Sequence, residues 1–451
     1  MSPGLRAWLR ERAHQALAAT PSGWRAEVYL RYHERSVTRF TRNEVHQHMH
    51  DADGQAQIAL YSPQGQWAVV RTNRLDDEGL AQAVARAATL AALREPDPEW
   101  PGLTPAGQSY PAAEAWDEAT ANLPPQSRVQ SVREIVAVAQ KHGLQAAGAL
   151  RNEARAVLYA HSEGLEAFQR NTQAEAIVVM QADEEAWGRA QDAAVAWNRL
   201  EPVALAHEAA TLAARGQGPR ALPPGEYPVV LSPYAVADLL HMLNLHGLSA
   251  QAVHEGRSWL VGRLGEPTLD PRLQVTDDPL AADMLPEAFD GEGTPKARLP
   301  LVRDGVPLTP VYDRRTAAQA GRASTGHGQP PAWRAWGPLA GHLRLQPGEA
   351  SQETLLASIT RGLFVNRFWY TRLVHPRDAV VTGMTRDGVF WVEGGEVAYP
   401  VKNMRFTQSY VQALARVLAV GRETRLVLTG SAAVRAPGLA LPAFRFTGRT
   451  A

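Results

Sequence analysis

The chain of 451 residues has no cysteine, which removes disulfides, thiolate metal sites and cysteine nucleophiles together and fits a reducing compartment. Neither sign of charge prevails: 46 Lys and Arg stand against 46 Asp and Glu, so no overall field draws the protein to nucleic acid or an anionic membrane. Long apolar runs are also missing, and none approaches the roughly 18 uninterrupted residues needed to cross a bilayer. Met1–Ala19 mixes apolar residues with Arg6, Arg10, Glu11, Arg12 and His14, the pattern of an amphipathic helix rather than a secretory signal. The expectation is a soluble, cytoplasmic protein with no nucleic-acid or membrane partner.

What is present reads as an α+β protein: two mixed helix-strand N-terminal units followed by a larger β-rich C-terminal domain. In the first unit, residues 1–95, an opening helix is followed by strand-like Glu27–Arg39 and Val45–His50. A turn is predicted at Asp51-Ala-Asp-Gly54, then strands over Gln55–Tyr61 and Gln66–Arg71 and a helix over Asp76–Leu93. Residues 96–125 carry seven prolines and read as a linker. The central unit, residues 126–216, repeats the order: a helix over Ser127–His142, strands over Gln145–Leu150, Ala154–Ser162 and Ala174–Ala182, and a helix over Pro202–Arg215. Residues 222–451 alternate short strand-like runs with Gly and Pro, interrupted by helices over Tyr234–His246 and Gln408–Val420.

Five segments of this last part carry a resemblance: Leu222-Pro-Pro-Gly-Glu-Tyr-Pro-Val-Val-Leu231, Gly256-Arg-Ser-Trp-Leu-Val-Gly-Arg-Leu-Gly265, Phe289-Asp-Gly-Glu-Gly-Thr-Pro295, Ala323-Ser-Thr-Gly326 and Gly395-Glu-Val-Ala-Tyr-Pro-Val401. In this order the chain resembles the TldD/PmbA metallopeptidase family. That resemblance implies a helix after the Pro-Val-Val-Leu strand bearing His-Glu-x-x-x-His, with a distant cysteine as a further zinc ligand. Here the helix reads Asp238-Leu-Leu-His-Met-Leu-Asn-Leu-His-Gly247, so His241 and His246 keep the spacing while Met242 stands where the glutamate belongs. A thioether cannot take a proton from metal-bound water, and loss of a positioned general base costs about 10² to 10⁴ in rate. The cysteine position falls around Thr429–Ser431, whose neutral hydroxyls bind zinc poorly beside a thiolate. These losses resemble the non-catalytic PmbA (TldE) branch. They imply a silent subunit of a cytoplasmic zinc peptidase acting on extended or unfolded peptides, paired with a TldD-like subunit or with itself, and without a catalytic residue or cofactor of its own.

Alternatives stay open at this stage. His241 and His246 lie about 140° apart around an ideal helix, so they read as helix-end residues or as vestigial metal ligands; zinc there, with an unidentified carboxylate, would make an autonomous metallopeptidase. A non-enzymatic interaction protein of the gyrase-modulator type is the third reading.

Other motifs have plain readings beside functional ones. His254-Glu255 lacks a second histidine at zinc-peptidase spacing. His46-Gln-His-Met-His50 places three imidazoles on one face of a strand, nearly 7 Å apart, which suits a solvated strand better than one ion. Asp290–Pro295 offers two carboxylates in a glycine-rich loop but no phosphate-loop lysine, and reads as a structural signature. Phe364–Tyr370 reads as core or subunit interface, and Ser324-Thr-Gly-His327 has no nucleophile elbow.

Overall fold

Apolar residues at helical spacing open the chain, and Leu9, Ala13 and Ala16 sink one face of helix α1 (Leu5–Ala18) against a sheet. A computed structural model describes residues 4–449, apart from the side chains of His246 and Arg449. Strands β1 (Arg25–Thr41), β2 (Glu44–Tyr61) and β3 (Trp67–Thr72) follow, then α2 (Asp77–Ala92), whose start is fixed by Asp76 accepting from the Gly79 amide at 2.8 Å. After short α3 (Glu118–Ala121) come α4 (Pro125–Lys141), β4 (Gln145–His161), β5 (Glu166–Gln181), β6 (Trp187–Ala194) and α5 (Pro202–Arg215).

These strands form one antiparallel sheet in the order β3-β2-β1-β4-β5-β6. β1 and β4 pair from Glu27 opposite His161 to Phe40 opposite Gly148, so both N-terminal units share a single sheet. The Pro-rich segment crosses between this sheet and the rest of the chain, with Trp100 stacked on Tyr61 at 4.1 Å and Tyr110 against Phe289 at 5.4 Å.

One local expectation is corrected. Asp51–Gly54 is not a turn, because β2 runs straight through it and the chain reverses at Arg42 and Asn43, both at positive φ (51° and 66°). β1 supplies pairing along the whole length, with Gly54 opposite Tyr32. A Cβ on Gly54 would stand 2.7 Å from Leu75 Cδ1, the tip of a side chain that can shift, so this glycine is not needed for a turn. Asn43 fixes the true turn by accepting from the Ala146 amide at 2.7 Å and donating to the Leu144 carbonyl at 3.1 Å.

The C-terminal part contains β7 (Gly225–Leu231), α6 (Pro233–Gly247), α7 (Ala250–His254), β8 (Val275–Asp277), β9 (Leu299–Arg303), β10 (Val306–Pro307), α8 (Arg314–Gln319), β11 (His342–Leu345) and α9 (Gln352–Ala357). It continues with β12 (Arg361–His375), β13 (Val380–Glu393), β14 (Glu396–Pro400), β15 (Met404–Ser409), α10 (Tyr410–Leu414), β16 (Ala419–Leu428) and β17 (Ala433–Arg449). Its strands pair in the order β10-β9-β8-β11-β17-β15-β13-β12-β7, and β17 also pairs β7, closing β7, β12, β13, β15 and β17 into a ring. Closure leaves those strands no free edge and encloses Phe368, Phe406, Tyr410 and Phe444. Helix α6 packs across β12 and β17.

The expected helix over Gln408–Val420 shrinks to Tyr410–Leu414. Residues before it pair with β13 and residues from Ala419 onward pair with β17, so ladder bonding overrides a helical apolar pattern. Among the described residues no helix is long and apolar enough to cross a membrane.

Candidate functional site

Helix α6 is started by Ser232, whose hydroxyl accepts from the Tyr234 amide at 3.1 Å and donates to the Asn366 carbonyl, with Pro233 in the first turn. Its far end is closed by the segment Gly256-Arg-Ser-Trp. Ser258 donates to the Gly247 carbonyl at 2.5 Å and Trp259 Nε1 to the Leu243 carbonyl at 3.1 Å, satisfying acceptors the helix end leaves open. Gly247 is required for this, since a Cβ there would lie 2.0 Å from Trp259 Cδ1.

Leu239, Leu240, Met242 and Leu243 face the main apolar cluster. Asp238, His241 and Leu245 form the half-buried stripe at helical spacing. Met242, at the position of the expected general base, is 5% exposed and lies in the core cluster. His241 Nδ1 lies 3.4 Å from the hydroxyl of Ser431, in the loop joining β16 to β17. Asp238 accepts from Thr371 at 3.0 Å and from the Tyr410 hydroxyl at 3.3 Å. Burial pushes this carboxyl up to about 6 despite those hydrogen bonds and the Arg367 charge.

The structure therefore brings His241 together with Ser431, within the segment expected to hold the missing cysteine. The side chain of His246 lies outside the described residues. Among the described residues no three His, Asp or Glu side chains converge as ligands of one ion. Asp238 went unnoticed in the sequence; its position three residues before His241 was the available signal.

The other motifs resolve individually. His48 and His50 are exposed on β2, and each is held by its own hydroxyl on β1, Thr38 at 3.0 Å and Ser36 at 2.9 Å. His327 lies between Thr325 (2.9 Å) and Asp277 (3.1 Å) in the geometry of a nucleophile, base and orienting acid. Thr325, however, is tied to both the amide and the carbonyl of Tyr312, at 2.7 and 3.1 Å, and His327 is 2% exposed, so the row locks a loop. Burial works to raise Asp277, but His327 overrides it and holds this carboxyl well below its ordinary range. Asp290 accepts from the amides of Glu292, Thr294 and Gly328 at 2.9, 2.9 and 2.7 Å, which makes its glycine-rich turn a structural device. Of the aromatic run, Phe364 and Phe368 are core residues, whereas Trp369 and Tyr370 are 41% and 59% exposed. Glu255 binds Arg257 and, at 2.9 Å, Gln251.

Residues 224–448 match the family model for the PmbA/TldA metallopeptidase C-terminal domain. A metalloprotease of Methanothermobacter thermautotrophicus is 25% identical over 209 residues, 45% of this chain and 44% of that protein. The Haemophilus influenzae metalloprotease TldD homologue is 24% identical over 231 residues, 51% of this chain and 48% of the relative. Metalloprotease PmbA of Escherichia coli O157:H7 is 26% identical over 209 residues, 46% of this chain and 43% of the relative. The matched stretch thus spans less than half of each relative. The solved structure of TldE from Thermococcus kodakarensis superposes with a TM-score of 0.86 at 19% identity, covering 98% of this chain and all (100%) of that one. A Thermotoga maritima protein proposed as a modulator of a DNA gyrase gives 0.84 at 19% identity, covering 98% and 100%. At that identity the likeness is one of fold.

Proposed function

We propose that this chain, which belongs to the TldD/PmbA family, is a catalytically silent, TldE-like subunit that pairs with a TldD-type zinc peptidase or with itself and helps enclose extended peptides. The observation that carries this reading is Met242. It occupies the general base's place on α6, is 5% exposed and belongs to the apolar core cluster, and its thioether cannot take a proton from water.

The donor set also fits catalytic zinc poorly. Such sites use three strong ligands and keep one position open, whereas Ser431 offers His241 a neutral hydroxyl. No step is therefore assigned to a metal in this chain. A partner peptidase would supply the chemistry, and this subunit would help form the walls that hold a strand-like substrate by main-chain hydrogen bonds.

Purified alone and supplied with zinc, the chain is expected not to hydrolyse peptides. Turnover that a chelator abolishes would overturn the reading. The competing reading, an autonomous metal enzyme using His241, His246 and a carboxylate, draws on Asp238, which shares a helix face with His241. Metal analysis separates the two: stoichiometric zinc lost on replacing His241 and His246 with Ala favours the second. The gyrase connection belongs to the Thermotoga relative, and this chain's balanced charge gives no basis for direct DNA contact.

A further inference from the structure

A cavity of about 520 Å³ opens where the N-terminal sheet, the Pro-rich segment and the loops bearing Glu292 and Arg334 meet. We propose that it binds an organic ammonium ion on a short apolar stem, with the Glu292 carboxyl as its counter-charge and Trp67 and Trp100 as the apolar wall.

Charge accounting points to a cation. The lining carries six carboxyls (Glu27, Asp97, Glu99, Glu255, Glu292 and Asp313) against three guanidiniums, those of Arg314, Arg315 and Arg334. Five of the carboxyls have partners of their own. Arg334 and the hydroxyls of Tyr61 and Tyr159 hold Glu27. Asp97 takes Arg315 and Trp67 Nε1, Asp313 caps α8, Glu99 takes Gln319 at 2.8 Å, and Glu255 takes Arg257.

Glu292 is different. One oxygen accepts the Arg314 amide at 3.0 Å, while the other has Arg334 Nε beside it at 3.6 Å, too far for a hydrogen bond. The Arg314 guanidinium does not compensate, because it is turned to the carbonyls of Pro101 and Leu103 at 3.2 and 3.0 Å. Glu292 is 7% exposed, and that exposure faces the cavity. Burial, opposed by Arg334 and aided by Asp290 and Asp313, pushes this carboxyl up to about 8. The charged and titratable groups around it are Asp290 in its own loop, Asp313 and Arg314 at the start of α8, Arg334, and Glu27 with Tyr61 on the sheet, while His254 and Glu255 at the end of α7, Arg315 of α8, and Asp97 and Glu99 of the Pro-rich segment line the same cavity. An incoming ammonium would supply the missing positive charge and displace the proton.

The remaining lining selects an organic cation. Tyr61 and Trp100 stack at 4.1 Å and Trp67 lies at 6.1 Å from Tyr61, so three aromatic side chains line the same cavity as the carboxyl, with Arg25 and Arg94 over the rings of Trp100 and Trp67. The volume falls in the range of small-molecule sites, roughly 300–1,000 Å³. A bare metal ion would need several converging ligands, and among the described residues no three His, Asp or Glu side chains form such a group.

The test uses hexylammonium, hexanol and hexanoate as probes of the full chain, by titration calorimetry in two buffers of different ionisation enthalpy. Hexylammonium is expected to bind at pH 7 with release of close to one proton, and neither other probe to compete. Its affinity should rise about fivefold from pH 7 to pH 8 as the ionised fraction of a carboxyl near 8 grows. Glu292→Gln should weaken binding about tenfold or more and abolish proton release. Trp100→Leu should weaken binding while leaving proton release intact, which keeps the test decisive if the first variant does not fold. No binding to the wild-type chain, a preference for hexanoate, or unchanged proton release in Glu292→Gln would each overturn the proposal. Neither a partner peptidase nor zinc enters the assay, so its outcome is separate from that of the subunit reading.

Discussion

His241 Nδ1 and Ser431 Oγ lie 3.4 Å apart although 190 residues separate them in sequence. Tertiary structure thus sets a histidine expected at a ligand spacing beside a hydroxyl from the segment expected to hold a cysteine. Ser431→Cys should therefore tighten zinc binding, because a thiolate beside an imidazole is a far better donor pair than a hydroxyl. Competition against a chromophoric chelator measures this. Peptide hydrolysis should remain absent, since no base is restored.

Replacing Met242 by Glu is the naive repair and should fail. The side chain is 5% exposed in the apolar core cluster, so a carboxylate there would lose its hydration. A loss of about 3 kcal/mol or more in chemical denaturation is expected, in the range of uncompensated buried charges, without gain of activity. Full stability together with zinc-dependent turnover would show that position 242 reaches the half-buried stripe.

Asp238 gives a pH dependence with a definite sign. Its folded value, about 6, exceeds the ordinary 3.8, so the folded state binds more protons in that window. Stability from this group is full at acid pH and declines as pH rises from about 3.8 to about 6, then stays level. The amplitude, discounted for the group's partial exposure, is on the order of 1–3 kcal/mol. Asp238→Asn should flatten that slope in denaturation curves taken at a series of pH values; an unchanged slope would count against the assignment.

Arg334 and Glu27 tie the C-terminal loops to the first strand, Nη2 lying 2.6 Å from Oε2. Burial alone would raise the Glu27 carboxyl, but Arg334 and two tyrosines hold it below its ordinary 4.5. The stability it contributes is present above about 4.5 and is lost as pH falls through the depressed value. Arg334→Ala leaves a buried charge unpaired and should cost about 3–5 kcal/mol. Adding Glu27→Gln should recover part of that cost, as read from thermal or urea unfolding.

Sequence periodicity alone placed α2, α4, α5 and α6 within a residue or two, because each presents an amphipathic or wholly apolar stripe and begins with an N-cap or an early proline. The missing thiolate and the thioether at 242 were equally plain, since they are matters of composition and of one residue's chemistry. Tertiary structure decided the rest. Strand pairing is non-local, so it was the β1 partner that turned Asp51–Gly54 into continuous strand, the β13 and β17 ladders that cut short α10, and the β1–β4 pairing that fused two apparent units into one sheet. Charge compensation is non-local too. In Asp290-Gly-Glu-Gly-Thr-Pro295 the turn's own Glu292 and Thr294 amides settle one oxygen of Asp290, but the Gly328 amide on its other oxygen and the groups beside Glu292, Arg314 and Arg334, are brought alongside only when the chain folds.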